Sequence, residues 1–169
     1  MNLTKEKRVM FQAATQAGKL LLKYYGKNEK IKEKSNKSLV SKADLEANKA
    51  IIRIIKKNFP KHSILSEEMP FLDNKSNFKW VIDPLDGTHN FLHGIHLFGT
   101  SIALEYKEEI VLGVLHFPLL KMTAFAEKGK GAFLNGKRIK VSNRKNLVHS
   151  FIAFEYAYTN RKEKIGFLE

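Results

Sequence analysis

The stretch Trp80-Val-Ile-Asp-Pro-Leu-Asp-Gly-Thr-His-Asn-Phe91 is the one against which the rest of this chain is read. Trp80, Val81 and Ile82 are apolar and favour extended backbone, Pro84 cannot continue a central strand, and Gly87-Thr88 can open a helix. The run therefore predicts strand, sharp turn and helix. Asp83 and Asp86 fall at the strand end and in the turn, where sheets expose functional groups. A turn capped for purely structural reasons is the plainer alternative.

Moving outward toward the N-terminus, Val9, Met10, Ala13, Ala14, Ala17, Leu20, Leu21 and Tyr24 recur at steps of three and four. That spacing predicts an amphipathic helix from Leu3 to Tyr25, stopped at Gly26. The lysine-rich run from Lys27 to Lys42, with Ile31, Leu39 and Val40 between the charges, predicts a short hairpin or loop. Ser41 or Asp44 can cap a second helix, whose apolar positions Leu45, Ala47, Ala50, Ile51, Ile54 and Ile55 hold their spacing until Asn58 and Pro60. His62 to Ser66 reads as a short buried strand delivering Glu67-Glu68, and Met69 to Asn77 as a loop.

Toward the C-terminus, Phe98, Thr100, Ile102, Leu104 and Tyr106 alternate, and Ile110 to Phe117 is a second β-rich run across the turn Lys107-Glu-Glu109. Met122 to Ala126 is a third strand. Asn135-Gly136 is a type I′ hairpin signal between Ala132–Leu134 and Arg138–Val141. Ser150 to Glu155 reads as one more strand, and Thr159 or Asn160 as the cap of another helix. Helices first and clustered strands afterwards indicate an α+β layered sandwich, with two N-terminal helices packed on a largely antiparallel sheet.

A chain of 169 residues is long enough for one domain burying about 70% of its unfolded surface. There is no cysteine, so disulfides and thiolate metal sites are excluded, and any metal must be held by oxygen or imidazole. No segment approaches the ~20 apolar residues of a membrane span, and the N-terminus has no apolar signal core, so a soluble, cytoplasmic protein is expected. The net charge of +13 suits an anionic partner, but only five of the basic residues are arginine (Arg8, Arg53, Arg138, Arg144, Arg161). A solvated lysine surface explains the charge better than nucleic acid does.

Glu67, Asp83 and Asp86 are three carboxylates placed at strand ends, and their mutual repulsion needs an answer. Hard divalent cations such as Mg²⁺ supply one, taking oxygen ligands from carboxylates and keeping other positions for water or phosphate. The Leu85 carbonyl can add a ligand, while the amides of Gly87 and Thr88 at a helix start suit a bound phosphate. Metal beside an anion site is the equipment for phosphoryl hydrolysis, with Thr88 and Glu67 able to orient the attacking water. His89, His93 and His96 invite a zinc reading but lack an acidic partner at metalloprotease spacing. His62, His116 and His149 stand alone and read as structural, and Gly129-Lys-Gly131 is a turn rather than a P-loop.

The run from Trp80 to Phe91 resembles the signature of the inositol monophosphatase family of magnesium-dependent, lithium-sensitive phosphatases. Leu39-Val-Ser-Lys-Ala-Asp44 resembles that family's first element, Leu65-Ser-Glu-Glu68 its Glu-Glu element, and Lys128 to Gly136 its later hairpin. The likeness covers nearly the whole chain in the right order. It implies an inositol-phosphatase-like fold in which Glu67, Asp83, Asp86 and the Leu85 carbonyl bind Mg²⁺. Asp86, Gly87 and Thr88 would hold the substrate phosphate, and Asp44 would support the attacking water through Thr88. It further implies hydrolysis of a small phosphorylated alcohol, inositol monophosphate first, by two or three metal ions activating water. Histidinol phosphate, fructose bisphosphate and 3′-phosphoadenosine 5′-phosphate are the alternative substrates.

Ser66 stands where glycine is usual in that family, and Ser38 where aspartate often opens the first element. Family members continue into a second α/β domain with a metal-binding aspartate in a Trp-Asp element, whereas no tryptophan follows Trp80. The expectation is thus an amino-terminal part of such an enzyme. Residues 1–150 would form the metal-binding α+β domain and 151–169 the start of the second. The partner implied is a small phosphorylated metabolite, with a homodimer admitted. A basic RNA- or protein-binding module, or an inactive fragment, are the readings from other classes.

Overall fold

The computed structural model of the protein describes residues 1–27, 32–33 and 39–150. Helix α1, Thr4–Tyr24, buries Val9, Met10, Ala13, Ala14, Ala17 and Leu21 of the predicted stripe together with Gly18, while the predicted Leu20 and Tyr24 are half-buried. Strands β1, Lys32–Glu33, and β2, Leu39–Val40, pair antiparallel within the lysine-rich run. Helix α2, Lys42–Asn58, is capped by Ser41, whose hydroxyl accepts the amides of Ala43 and Asp44 while the Asp44 carboxylate accepts the Ser41 amide. The two candidate cap residues therefore share one capping box, which satisfies otherwise orphaned N–H groups at both positions.

Eight strands follow. They are β3, Ser63–Ser66; β4, Met69–Leu72; β5, Phe78–Asp86; β6, Gly99–Tyr106; β7, Glu109–Phe117; β8, Met122–Glu127; β9, Gly131–Leu134; and β10, Lys137–Ile139. They form one sheet in the order β10-β9-β8-β7-β6-β5-β3-β4, antiparallel throughout except for the parallel pair β3 and β5. The α+β class, with its largely antiparallel sheet, is as the sequence predicts. Helix α3, Thr88–Leu92, is a short element after β5.

Two local expectations are corrected. Met69–Leu72 is a strand rather than part of a loop, and it takes Pro70 because it lies at the sheet edge, where one row of N–H groups needs no ladder partner. Pro84 does not end β5 either. Asp83 pairs with Ser101 and Asp86 with Gly99, so the register shifts between them and the proline sits in the irregularity. The Asn135-Gly136 turn has both residues at positive φ, 47° and 79°, as a type I′ hairpin requires. The strand expected through 151–155 and the helix expected after Thr159 lie outside the described residues.

The chain divides by its contacts into a unit Met1–Ile139, which holds the fold above, and a second unit from Lys140 onward. In the second, the described residues include a 3-10 turn at Leu147–His149 whose Val148 amide is capped by the Asn146 side chain. In the first, α1 packs on β6 and β7 and α2 on β5. Trp80, Ile102, Leu104 and Leu112 from the sheet meet Met10, Leu21, Ile51 and Ile55 in one buried core. Each such side chain contributes roughly 1.5–3 kcal/mol by leaving water. The seam is close at Gly18, where a Cβ would stand 2.6 Å from the His116 ring.

Candidate active site

The site is assembled at the C-terminal end of β5 and the neighbouring end of β3. These two strands run parallel with Ser66 opposite Ile82, so Glu67 and Asp83 emerge side by side. The Glu67 amide donates to the Ile82 carbonyl at 3.2 Å. Because Ser66 also pairs with Met69, Glu67 and Glu68 form the two-residue turn between β3 and β4.

Asp83 is half-buried, and its Oδ1 accepts the Leu85 amide at 3.1 Å. Its pKa is pushed up to about 7 by burial first, then by the negative charges of Glu67 and Asp86, with a smaller push from Asp44 and a partial offset from the Leu85 amide. Burial and neighbouring like charge both disfavour the ionised form, which is the direction of the shift. The Pro84 carbonyl, within the shifted register, accepts the hydroxyl of buried Thr100 at 2.9 Å, which fixes the turn to β6.

Gly87 then takes φ +83°, and a Cβ there would meet the Leu97 carbonyl at 3.0 Å, so both its conformation and its space favour glycine. This left-handed residue reverses the chain into α3. With five residues, α3 has little macrodipole, and what it offers an anion is its leading N–H groups. The Thr88 hydroxyl lies 3.3 Å from Oδ1 of Asp44 and 3.1 Å from the Leu85 carbonyl. The other Asp44 oxygen, Oδ2, accepts the Ser41 amide at 2.9 Å and the Ser41 hydroxyl at 2.6 Å. Burial raises the pKa of Asp44, while the bonds from Ser41 and Thr88 pull it back.

Asp44, Thr88 and Leu85 are thus joined by hydrogen bonds, and Asp83, Glu67 and Asp86 by mutual repulsion. Among the described residues no group of three or more His, Asp or Glu stands close enough together to grip a metal ion. Glu67 and Asp86 are both exposed, so their carboxylates lie at the solvent side of the site. The donor set therefore fits a hard cation in kind, being all oxygen, and in charge, through the raised Asp83. The histidines do not make a zinc site: His89 and His93 stack at 6.5 Å, and Nδ1 of His93 contacts the His89 carbonyl.

Some supporting residues were not singled out by the sequence. Thr100 holds the Pro84 carbonyl. Asn48, one turn beyond Asp44, accepts the Ser66 hydroxyl at 2.8 Å. Ser41 is one of the cap residues the sequence named, whereas Thr100 and Asn48 reach the site only through strand and helix placement.

The profile of the inositol monophosphatase family matches residues 2–166. The chain belongs to the inositol monophosphatase family. The Aquifex aeolicus protein named fructose-1,6-bisphosphatase/inositol-1-monophosphatase is 36% identical over 164 residues, covering 96% of this chain and 62% of that protein. The histidinol-phosphatase of Chlorobaculum parvum is 37% identical over 141 residues, covering 83% of this chain and 54% of its own length. Among solved structures, the extragenic suppressor protein suhB of Bartonella henselae superposes with a TM-score of 0.82 at 41% identity, over 85% of this chain and 57% of that one. The chain thus spans between about half and two thirds of the length of these relatives.

Proposed function

We propose that this chain carries the metal- and phosphate-handling part of a Mg²⁺-dependent phosphomonoester hydrolase that acts on a small phosphorylated alcohol. The observation that carries the proposal is Asp83, pushed up to about 7 by burial and by Glu67 and Asp86, beside the Gly87 turn. Glu67, Asp83, Asp86 and the Leu85 carbonyl would hold the metal. The chemistry supplied by bound magnesium is a water of lowered pKa and a stabilised leaving oxygen. Asp83 must give up the proton it retains near neutrality for its carboxylate to become a ligand.

Thr88 has one hydroxyl proton and two acceptors within reach. Donation to Asp44 leaves the Thr88 lone pairs open to accept a hydrogen bond from an attacking water, and at the same time releases the Leu85 carbonyl. Buried Asp44, oriented by Ser41, fixes which way that hydroxyl points. The leading amides after Gly87 would bind the substrate phosphate, with Asp86 at the border between metal and phosphate.

Inositol monophosphate is the first substrate to try. Fructose bisphosphate and histidinol phosphate follow, in keeping with the names of the relatives, and 3′-phosphoadenosine 5′-phosphate completes the set. The test is phosphate release by the full-length protein from each compound, with and without Mg²⁺, for wild type and Asp83→Asn. Mg²⁺-dependent release lost in the variant is expected. Release that Asp83→Asn leaves unchanged overturns the proposal.

A further inference from the structure

The carboxylate of Glu67 sits in an insecure place. Its turn joins two four-residue strands at the outer end of the sheet, β4 being the edge. The pairing of β3 with β4 is itself irregular, with a register shift between Ile64 and Ser66. Beyond Ser66 the turn is tied to β5 through its backbone, the Glu67 amide donating to the Ile82 carbonyl at 3.2 Å. A short, irregular edge hairpin has few ladder bonds to hold a ligand in register.

On the inner side of the turn lies the bond from the Ser66 hydroxyl to Oδ1 of Asn48, 2.8 Å long, with both residues 5% exposed. Asn48 follows Asp44 by four residues, so both project from one face of α2. From that face Asp44 reaches Thr88 in the turn after β5, and Asn48 reaches Ser66 at the end of β3. One rigid helix therefore holds both strand ends between which the carboxylates lie. A glycine at position 66 would have no hydroxyl with which to make the second attachment.

We propose that Asn48 and Ser66 are a positioning pair for Glu67, tying the edge turn that carries this carboxylate to the helix that carries Asp44. The inference rests on the metal-site reading given under the proposed function. Both act as positioning residues and not as ligands, the pair fixing on α2 the strand end from which Glu67 emerges.

The test is Mn²⁺ binding to the full-length protein, read from the paramagnetic resonance signal of free Mn²⁺, with thermal melting recorded alongside. Ser66→Gly and Asn48→Ala are each expected to weaken binding about tenfold, as loss of a residue that orients a metal ligand typically does. The double variant is expected to bind no more weakly than either single one, because one bond is lost in all three. Ser66→Thr keeps a hydroxyl and is expected to stay within about twofold of wild type, against the about tenfold loss of the glycine variant. Ile55→Val, a core change in the same helix, controls for lowered stability alone. Should Asn48→Ala not fold, Ser66→Gly carries the test.

Wild-type affinity in both Ser66→Gly and Asn48→Ala overturns the inference, as does equal weakening by Ile55→Val. A wild-type protein that binds no Mn²⁺, or binds it as well with Asp83→Asn, overturns the metal-site reading and this inference together. The first two outcomes leave that reading standing.

Discussion

The two ends of β5 contrast sharply in their chemistry. At the start of the strand, the His62 ring lies between Phe59, at 4.6 Å and 12°, and Phe78, at 4.7 Å and 16°. Fully buried Trp80 donates its indole N–H to Nδ1 of His62 at 3.1 Å, so the histidine proton belongs on Nε2. The indole N–H and Nδ1 of His62 satisfy each other within that stack. Three residues on, Asp83 is half-buried among like charges with its pKa pushed up to about 7. One strand thus joins a saturated aromatic anchor to a destabilised carboxylate. The packing at one end holds the strand whose other end carries like charges close together.

Breaking the anchor should have the largest effect. Trp80→Ala is expected to cost about 3–5 kcal/mol, a large share of the ~5–15 kcal/mol that holds a typical domain, and urea unfolding with a shifted midpoint measures it. A loss below about 1 kcal/mol would show that the stack does not anchor the strand.

Relieving the other end should act in the opposite direction. Asp83→Asn is expected to raise the stability of the protein in chelator by about 1–2 kcal/mol at pH 8, allowing for solvent screening of a partly exposed group. The sign follows from a folded pKa near 7 against an ordinary 3.8. Between those values the folded chain binds the extra proton, so wild-type stability falls as pH rises through the window, and the variant lacks that slope. Melting curves from pH 4 to 8 give both slopes, and parallel curves would contradict the contrast between the two ends.

The smallest effect is expected from titrating the anchor. Burial holds the His62 pKa below its ordinary 6.5, partly offset by Glu6, while Lys5 lowers it further. Below pH 6.5 the unfolded chain therefore takes up a proton that the folded chain resists, and stability declines with acidification until the folded pKa is passed. Trp80 is the single tryptophan, so its fluorescence reports on this hydrogen bond directly. His62→Gln, which keeps an acceptor and cannot titrate, should flatten the dependence below pH 6.5.

The sequence made the helices, the meander and the sharp turn after Trp80 legible because their signals are local. Spacing of apolar residues at three and four marks α1 and α2, alternation marks β6, and Asn135-Gly136 marks the β9–β10 hairpin. Strand β4 was hidden because Pro70 and the polar residues after it read as loop, and only the sheet order reveals that they lie at an edge. Pro84 misled for a similar reason, since the register shift that accommodates it is a property of the pair with β6. At the site, the residue types of Glu67, Asp83 and Asp86 were legible, but the pKa of Asp83 was not. It depends on burial and on charges from three separate segments. The Ser66–Asn48 bond spans 18 residues and two elements, which no spacing rule could connect.

The edge position of Pro70 has a further consequence for the molecule in solution. An open strand edge is a template on which other chains can add, and natural sheets blunt it with proline, short strands or lysine. At one border of this sheet, β4 has a proline within its four residues, which removes one donor from the free row. At the other border among the described residues, β10 is three residues long and carries Lys137 and Arg138, both exposed. Among the described residues, both borders carry features that disfavour intermolecular β-pairing.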